Sequence, residues 1–276
     1  MNQTAITVRN SSISPYRPTP FSSDLEVIEG TFHEINHGSS SAMPSLKRII
    51  QEFRPFPEKT VILGLCEDHL PFVLDLKNPR SGSLLISGEP GSGKTNLLGT
   101  IARSASMIES PDSICYCIIS TKPDELADLY NAPHCQALVA PYDRAAGEII
   151  LALSAIAEQR RSGRERGPAL LLLIDDIYPL LAHYFDFNTF LHLKWLVQNG
   201  PRSKVWPVIS IQTNNVWDLS RDFVNIFPFR IVGHQNRLLT QGNQANEDSY
   251  TRSNSTNYFN AIINRNSVTF KTFYDW

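Results

Sequence analysis

Long apolar runs are missing from this sequence. No uninterrupted hydrophobic stretch approaches the ~20 residues of a membrane-spanning helix, and the opening MNQTAITVRNSS has no apolar core of the kind a secretory leader carries. A soluble, cytoplasmic protein is the expectation. Cysteine is scarce as well: Cys66, Cys115, Cys117 and Cys135 contain no C-x-x-C pair, which removes the usual spacing of a zinc ribbon or a redox dithiol. The first three sit in or beside apolar runs, so buried, reduced thiols are expected. Charge of one sign is also lacking. With 25 basic and 27 acidic side chains the formal net charge is −2, so any nucleic acid must meet a local basic surface rather than an overall field. No internal repeat is present.

What remains is an ordinary globular composition, 42% hydrophobic and 19% charged. Residues 1–54 are rich in Ser, Thr, Asn and Pro with little periodicity, and read as a polar, largely flexible arm with a short ordered piece at DLEVIEGTF. From Val61 the texture changes. The runs VILGL, PFVLDL, SLLIS, SICYCIIS, QALVA, ALLLLID, PVISIQ and FRIVG are too continuous for half-exposed strands, and predict a parallel sheet covered on both faces. Helical patterns lie between them. AAGEIILALSAIAEQRR puts Ala146, Ile149, Ile150, Leu153, Ile156 and Ala157 on one stripe, and FLHLKWLVQNGP closes on Gly200 and Pro201. The alternation predicts one α/β nucleotide-binding domain over 55–276. A polar patch near 240–258, Thr240 to Tyr258, reads as a surface loop or hairpin insertion.

Within that frame GEPGSGKT, Gly88 to Thr95, fits G-x-x-x-x-G-K-[ST] without a gap. Gly88, Gly91 and Gly93 allow left-handed or crowded backbone, so that amides across Gly88, Glu89, Pro90, Gly91, Ser92, Gly93, Lys94, Thr95 and Asn96 can turn around phosphate oxygens. Lys94 is placed for the β and γ phosphates of ATP, and the Thr95 hydroxyl for Mg2+. The flanks are right for such a loop: Leu84, Leu85 and Ile86 form a short apolar run before it, and Leu97, Leu98, Ile101 and Ala102 recur at helical spacing after it.

A phosphate loop needs an acidic partner for the metal and a group that orients the attacking water. LLLLIDD supplies a candidate for each. Asp175 and Asp176 leave the carboxyl end of a buried run, the edge where open parallel sheets bind ligands; Asp175 is assigned to Mg2+ and Asp176 to the water. Asp176 is about one methylene shorter than the Glu common in such motors, which leaves slow hydrolysis or a nucleotide switch open. VISIQTNN ends another buried run on Gln212, placed to sense the γ phosphate. The densest positive cluster, EQRRSGRERG with Arg160 to Arg166, offers a local surface for a DNA backbone. Two interspersed Glu and the absence of aromatics favour a solvated loop over DNA contact.

Between about Leu63 and Val232 the sequence resembles the FtsK/HerA family of hexameric DNA-pumping ATPases, in its FtsK and SpoIIIE branch. LGLCEDHLPFVLDL resembles the family's lead into the phosphate-loop strand, and IISTKPDELADLYNAPHC its stretch around a lysine, here Lys122, Glu125, Leu126, Tyr130, Pro133 and His134. AIAEQRR stands where the family has a helix ending in Glu and Arg, here Glu158 and Arg160, and LVQNGPRSKVWPVISIQTNN resembles the run with an arginine finger and a sensor Gln. The resemblance implies a RecA-like P-loop NTPase with a mostly parallel central sheet flanked by helices, a homohexameric ring, and double-stranded DNA in its pore. It makes Arg202 the finger candidate and Arg230, in FPFRIVG, a second. The sequence departs from the family pattern in four places: Pro201 occupies the usual arginine position, Thr213 and Asn214 replace the Arg-Pro after the Gln, and Thr121 replaces an acidic residue. The winged-helix and membrane modules of chromosome translocases are not represented. The resemblance thus implies an ATP-driven DNA translocase, and leaves as alternative an FtsK-like ATPase acting on protein, in secretion or nucleotide-gated assembly, with weak hydrolysis.

Overall fold

A computed structural model describes residues 43–183, 187–213, 221–236, 255–263 and 266–274. In chain order its first elements are α1 (Leu46–Glu52), β1 (Thr60–Cys66), β2 (Pro71–Asp75), β3 (Leu84–Gly88), α2 (Lys94–Ile108), β4 (Ile114–Ser120), α3 (Ala127–Tyr130) and β5 (Cys135–Val139). Then follow α4 (Arg144–Arg161), β6 (Ala169–Asp175), α5 (Ile177–His183), α6 (Phe187–Asn199), β7 (Val205–Gln212), α7 (Arg221–Asn225), β8 (Phe229–Asn236), β9 (Ser255–Ile263) and β10 (Asn266–Lys271).

The strands form one sheet in the order β2-β1-β10-β9-β8-β3-β7-β6-β4-β5. From β8 to β5 every pairing is parallel; from β2 to β8 every pairing is antiparallel. This is the mostly parallel, helix-flanked sheet expected. VILGL and PFVLDL, however, are not parallel strands. They form the antiparallel β1–β2 hairpin, and β1 reads as a continuous apolar run because both its faces are covered. Val61 and Leu63 join the core under α2, while Ile62 and Leu65 pack with Leu46, Ile49, Ile50 and Phe273. Continuity reports burial on two faces, and antiparallel strands can have that too.

The same contacts move the expected domain boundary. Residues 1–42 of the predicted arm lie outside the described residues, but Leu46–Glu52 is a helix capped by Ser45, whose hydroxyl accepts from Arg48 N–H, and its apolar face is buried. The packed domain therefore begins before residue 55. Of the insertion predicted over 240–258, residues 240–254 are outside the described residues, and 255–258 already belong to β9.

Helices cover the two faces with their own clusters. α2 presents Leu97, Leu98, Ile101, Ala102 and Ala105 to one side of the sheet. α4 begins on Asp143, which caps Ala145 N–H, and packs Ala146, Ile150, Leu153 and Ala157 with Leu193, Leu196 and Val197 of α6 on the other. Each fully buried Leu or Ile among them contributes roughly 1.5–3 kcal/mol. Among the cysteines, Cys115 and Cys117 are buried and Cys66 and Cys135 half-buried, all as free thiols. Burial pushes Cys117 up to about 12 and Cys66 up to about 11, so neither is a nucleophile at neutral pH. Among the described residues, no helix is long and apolar enough to cross a membrane.

Candidate active site at the strand ends

Strand order decides what the site contains. Going across the sheet, β3, β7, β6 and β4 are neighbours, and their carboxyl ends carry Gly88, Gln212, Asp175 and Ser120. Gly88 pairs in register with Gln212, and Ser120 with Asp175. Four side chains or loops far apart in sequence thus leave one edge of the sheet together, where ligands bind in open α/β folds.

The loop after β3 turns through a bond from Ser92 N–H to Glu89 O, 3.1 Å, and enters α2 with Leu97 N–H on Gly93 O, 2.9 Å. Gly91 and Gly93 have φ of 79° and 91°, the left-handed region where a Cβ is strained. Glu89, Pro90 and Gly91 are exposed, Ser92 and Lys94 buried, and Gly93, Thr95 and Asn96 partly buried. Lys94 Nζ donates to Gly88 O at 3.0 Å and Glu89 O at 2.9 Å, which holds the cation inside the loop. Burial lowers its pKa, and the nearby Asp175 and Asp176 oppose that shift.

Asp175 is 5% exposed. Thr95 Oγ1 donates to its carboxylate, lying 3.1 and 3.0 Å from the two oxygens. Ser120 Oγ donates at 3.1 Å and Ser210 Oγ at 3.3 Å. Burial raises the Asp175 pKa; the Thr95, Ser120 and Ser210 hydroxyls partly offset this, and Asp176 adds to it. Both serines are themselves fixed by backbone, Ser120 accepting from Lys122 N–H at 3.0 Å and Ser210 from Asp176 N–H at 2.8 Å. Sequence reasoning missed the two serines. Their signal was a small hydroxyl residue near the end of a buried run, in IIS and VIS, on the strands flanking the aspartate.

Asp176 stands in the left-handed region at φ 62°, which a short polar side chain tolerates. Its Oδ1 accepts from Tyr178 N–H at 3.1 Å, starting α5, and its Oδ2 accepts from Gln212 Nε2 at 2.9 Å. The Gln212 bond ties the carboxylate to the neighbouring strand.

These residues fit a magnesium nucleotide. Thr95 and Asp175 offer hard oxygen donors, and among the described residues no group of three or more His, Cys, Asp or Glu could build an all-protein cage. Phosphate oxygens and water would complete such a shell, the usual arrangement for Mg2+ with a triphosphate.

No family model matches the chain. The ESX-5 secretion system protein EccC5 of Mycobacterium marinum is 25% identical over 169 residues, which are 59% of this chain and 12% of that protein. Among solved structures, Thermomonospora curvata EccC, ATPases 2 and 3 in complex with a signal sequence peptide, gives a TM-score of 0.60 at 19% identity, covering 79% of this chain and 41% of that one. The pCW3 conjugation coupling protein TcpA, in its monomer form with ATPγS, gives 0.60 at 17% identity, covering 86% and 71%. The fold is that of an FtsK/HerA-type P-loop ATPase. This chain spans about an eighth of the EccC5 protein, and less than half of the EccC structure.

Within this FtsK/HerA-type fold the two arginine candidates do not approach the phosphate loop of their own chain. Arg202 precedes β7, whereas Gln212 ends it, and eight strand residues at about 3.3 Å each separate them by more than roughly 20 Å. Arg230 is the second residue of β8, paired with Leu85 of β3, and donates to Phe227 O and Asn225 Oδ1. Arg202 lines a surface cleft with Lys59, Lys77 and Lys204.

The basic stretch at the end of α4 is less basic at its surface than its sequence. Arg160 turns inward, its side chain 6% exposed, and donates to Pro168 O, Ser203 O and Lys204 O. Arg161, exposed, pairs with Glu158 and lies over the Trp195 ring, and Arg164 and Arg166 are exposed as well. In the lysine stretch after β4, Lys122 pairs with Glu125 at 2.8 Å, Leu126 is buried and Tyr130 exposed. His134 is buried, with Nε2 2.9 Å from Glu109 O. Asn214 lies outside the described residues.

Proposed function

We propose that this protein is an ATP-hydrolysing ring motor that works as a homohexamer and translocates double-stranded DNA. The observation that carries the ATPase reading is the single edge shared by Gly88, Gln212, Asp175 and Ser120, with Lys94 and Thr95 beside it. Bound MgATP supplies an electrophilic γ phosphorus and a metal that neutralises the departing oxygens. The loop amides and Lys94 bind and orient the phosphates, and Thr95 and Asp175 hold the metal. Asp176, fixed by Gln212, positions the attacking water and receives its proton. Arg202 is delivered in trans across the subunit interface, where it stabilises charge on the γ phosphate. For DNA, Arg164, Arg166 and the surface lysines Lys59 and Lys204 supply the local basic surface that a chain of net charge −2 requires.

A second reading, an FtsK-like ATPase acting on protein, is favoured by the match to a secretion system protein and by the inward turn of Arg160. Steady-state ATP hydrolysis with and without linear double-stranded DNA, with Lys94→Ala as blank, separates the two. Stimulation by DNA that disappears in Lys94→Ala supports the DNA motor. Hydrolysis that ignores DNA at low salt supports the protein-directed reading.

A further inference from the structure

Asn257, in β9, lies against the phosphate loop although it follows it by more than 160 residues. Its N–H donates to Ser92 O at 3.3 Å, and its carbonyl accepts from Thr272 N–H at 3.0 Å. Thr272 in turn donates through its hydroxyl to Thr100 of α2 at 2.9 Å. The antiparallel end of the sheet is therefore tied to the loop and to its helix at two buried points.

Three features of Asn257 are costly for stability alone. The residue is fully buried, its backbone sits at φ 78°, and neither carboxamide atom has a hydrogen-bond partner. A buried, unpaired amide costs stability, and a left-handed non-glycine backbone adds to that cost. That carboxamide is packed directly on Gly93, where a Cβ would overlap Asn257 Oδ1. Beside it the Ser92 hydroxyl, also buried and unpaired, fits where Gly88 and Gly233 lack side chains. Orphaned polar groups and strained backbone concentrate where a site has to be held in one geometry.

We propose that Asn257 is a positioning residue of the phosphate loop, holding the Gly93 peptide so that the loop amides and Lys94 face a triphosphate. The proposal rests on the assignment of Gly88–Thr95 as the nucleotide site. Asn257 acts through the loop and does not touch the reacting atoms.

Two variants test it. Asn257→Gly keeps the left-handed backbone and deletes the carboxamide; Asn257→Asp keeps the shape and adds a negative charge against the loop. For each, the Kd for ATPγS, the KM and kcat for ATP, and the thermal unfolding midpoint without nucleotide are measured beside wild type and Lys94→Ala. Asn257→Gly is expected to raise Kd and KM about tenfold, with a smaller change in kcat, and Asn257→Asp to raise them further. A role confined to stability would move the unfolding midpoint and leave Kd within twofold of wild type, and that result overturns the proposal. Should wild type itself fail to bind ATPγS, the site assignment falls and this proposal with it. Binding by wild type, loss in Lys94→Ala and unchanged Kd in both Asn257 variants would remove only the role of Asn257.

Discussion

Gln212 Nε2 donates to Asp176 Oδ2 at 2.9 Å, joining the ends of two parallel neighbours, β7 and β6. With Tyr178 N–H on the other oxygen, the carboxylate has one orientation. Asp176→Asn keeps a residue that tolerates left-handed backbone but cannot take a proton from water. It is expected to lower kcat by about 10²-fold or more with little change in nucleotide affinity. Gln212→Ala frees the carboxylate without removing it, and should cost roughly tenfold in kcat. Single-turnover hydrolysis beside ATPγS binding measures both.

Asp175 gives the site a pH signature. Its pKa is raised above the ordinary 3.8 by burial, so between that value and the raised one the folded state keeps a proton that the unfolded chain has released. The stabilising contribution is full below 3.8 and lost as pH rises through the raised value. Thermal unfolding of metal-free protein across the acid range should show this loss, and Asp175→Asn should flatten it. A divalent cation with ATP favours the carboxylate and should reverse the slope.

If Arg202 serves a neighbour, two inactive variants can complement each other. Lys94→Ala removes nucleotide binding and Arg202→Ala the finger, yet in a mixed ring some interfaces carry an intact Lys94 opposite an intact Arg202. Random assembly gives roughly a quarter of such interfaces. An equimolar mixture is therefore expected to recover up to about that share of wild-type ATP turnover, and none if the arginine works in cis.

Arg160 and its neighbours should separate by function. Arg160→Ala removes the hydrogen bonds to Pro168 O, Ser203 O and Lys204 O and should destabilise the fold by about 1–3 kcal/mol in denaturant titration. Arg164→Ala with Arg166→Ala should leave stability unchanged, and if this loop meets DNA, should reduce the salt dependence of DNA binding by about two phosphate contacts.

Much of this was legible before any coordinates. The glycine spacing of the phosphate loop, the apolar run ending on Asp175 and Asp176, and the stripe on α4 are local patterns, set by φ/ψ tolerance and by 3.6-residue or extended periodicity. Such patterns specify an element and its buried face. Tertiary structure decided which elements are neighbours: that β7 lies between β3 and β6, so that Gln212 meets Asp176; that VILGL and PFVLDL run antiparallel; that Ser120 and Ser210 flank Asp175; and that Arg160 turns into the fold. Asn257 sits in a polar stretch with no periodic signal, yet lies under Gly93. Local sequence fixes what a segment can form, because propensity and burial act over a few residues. Strand order and side-chain encounters depend on long-range packing, to which the whole chain contributes.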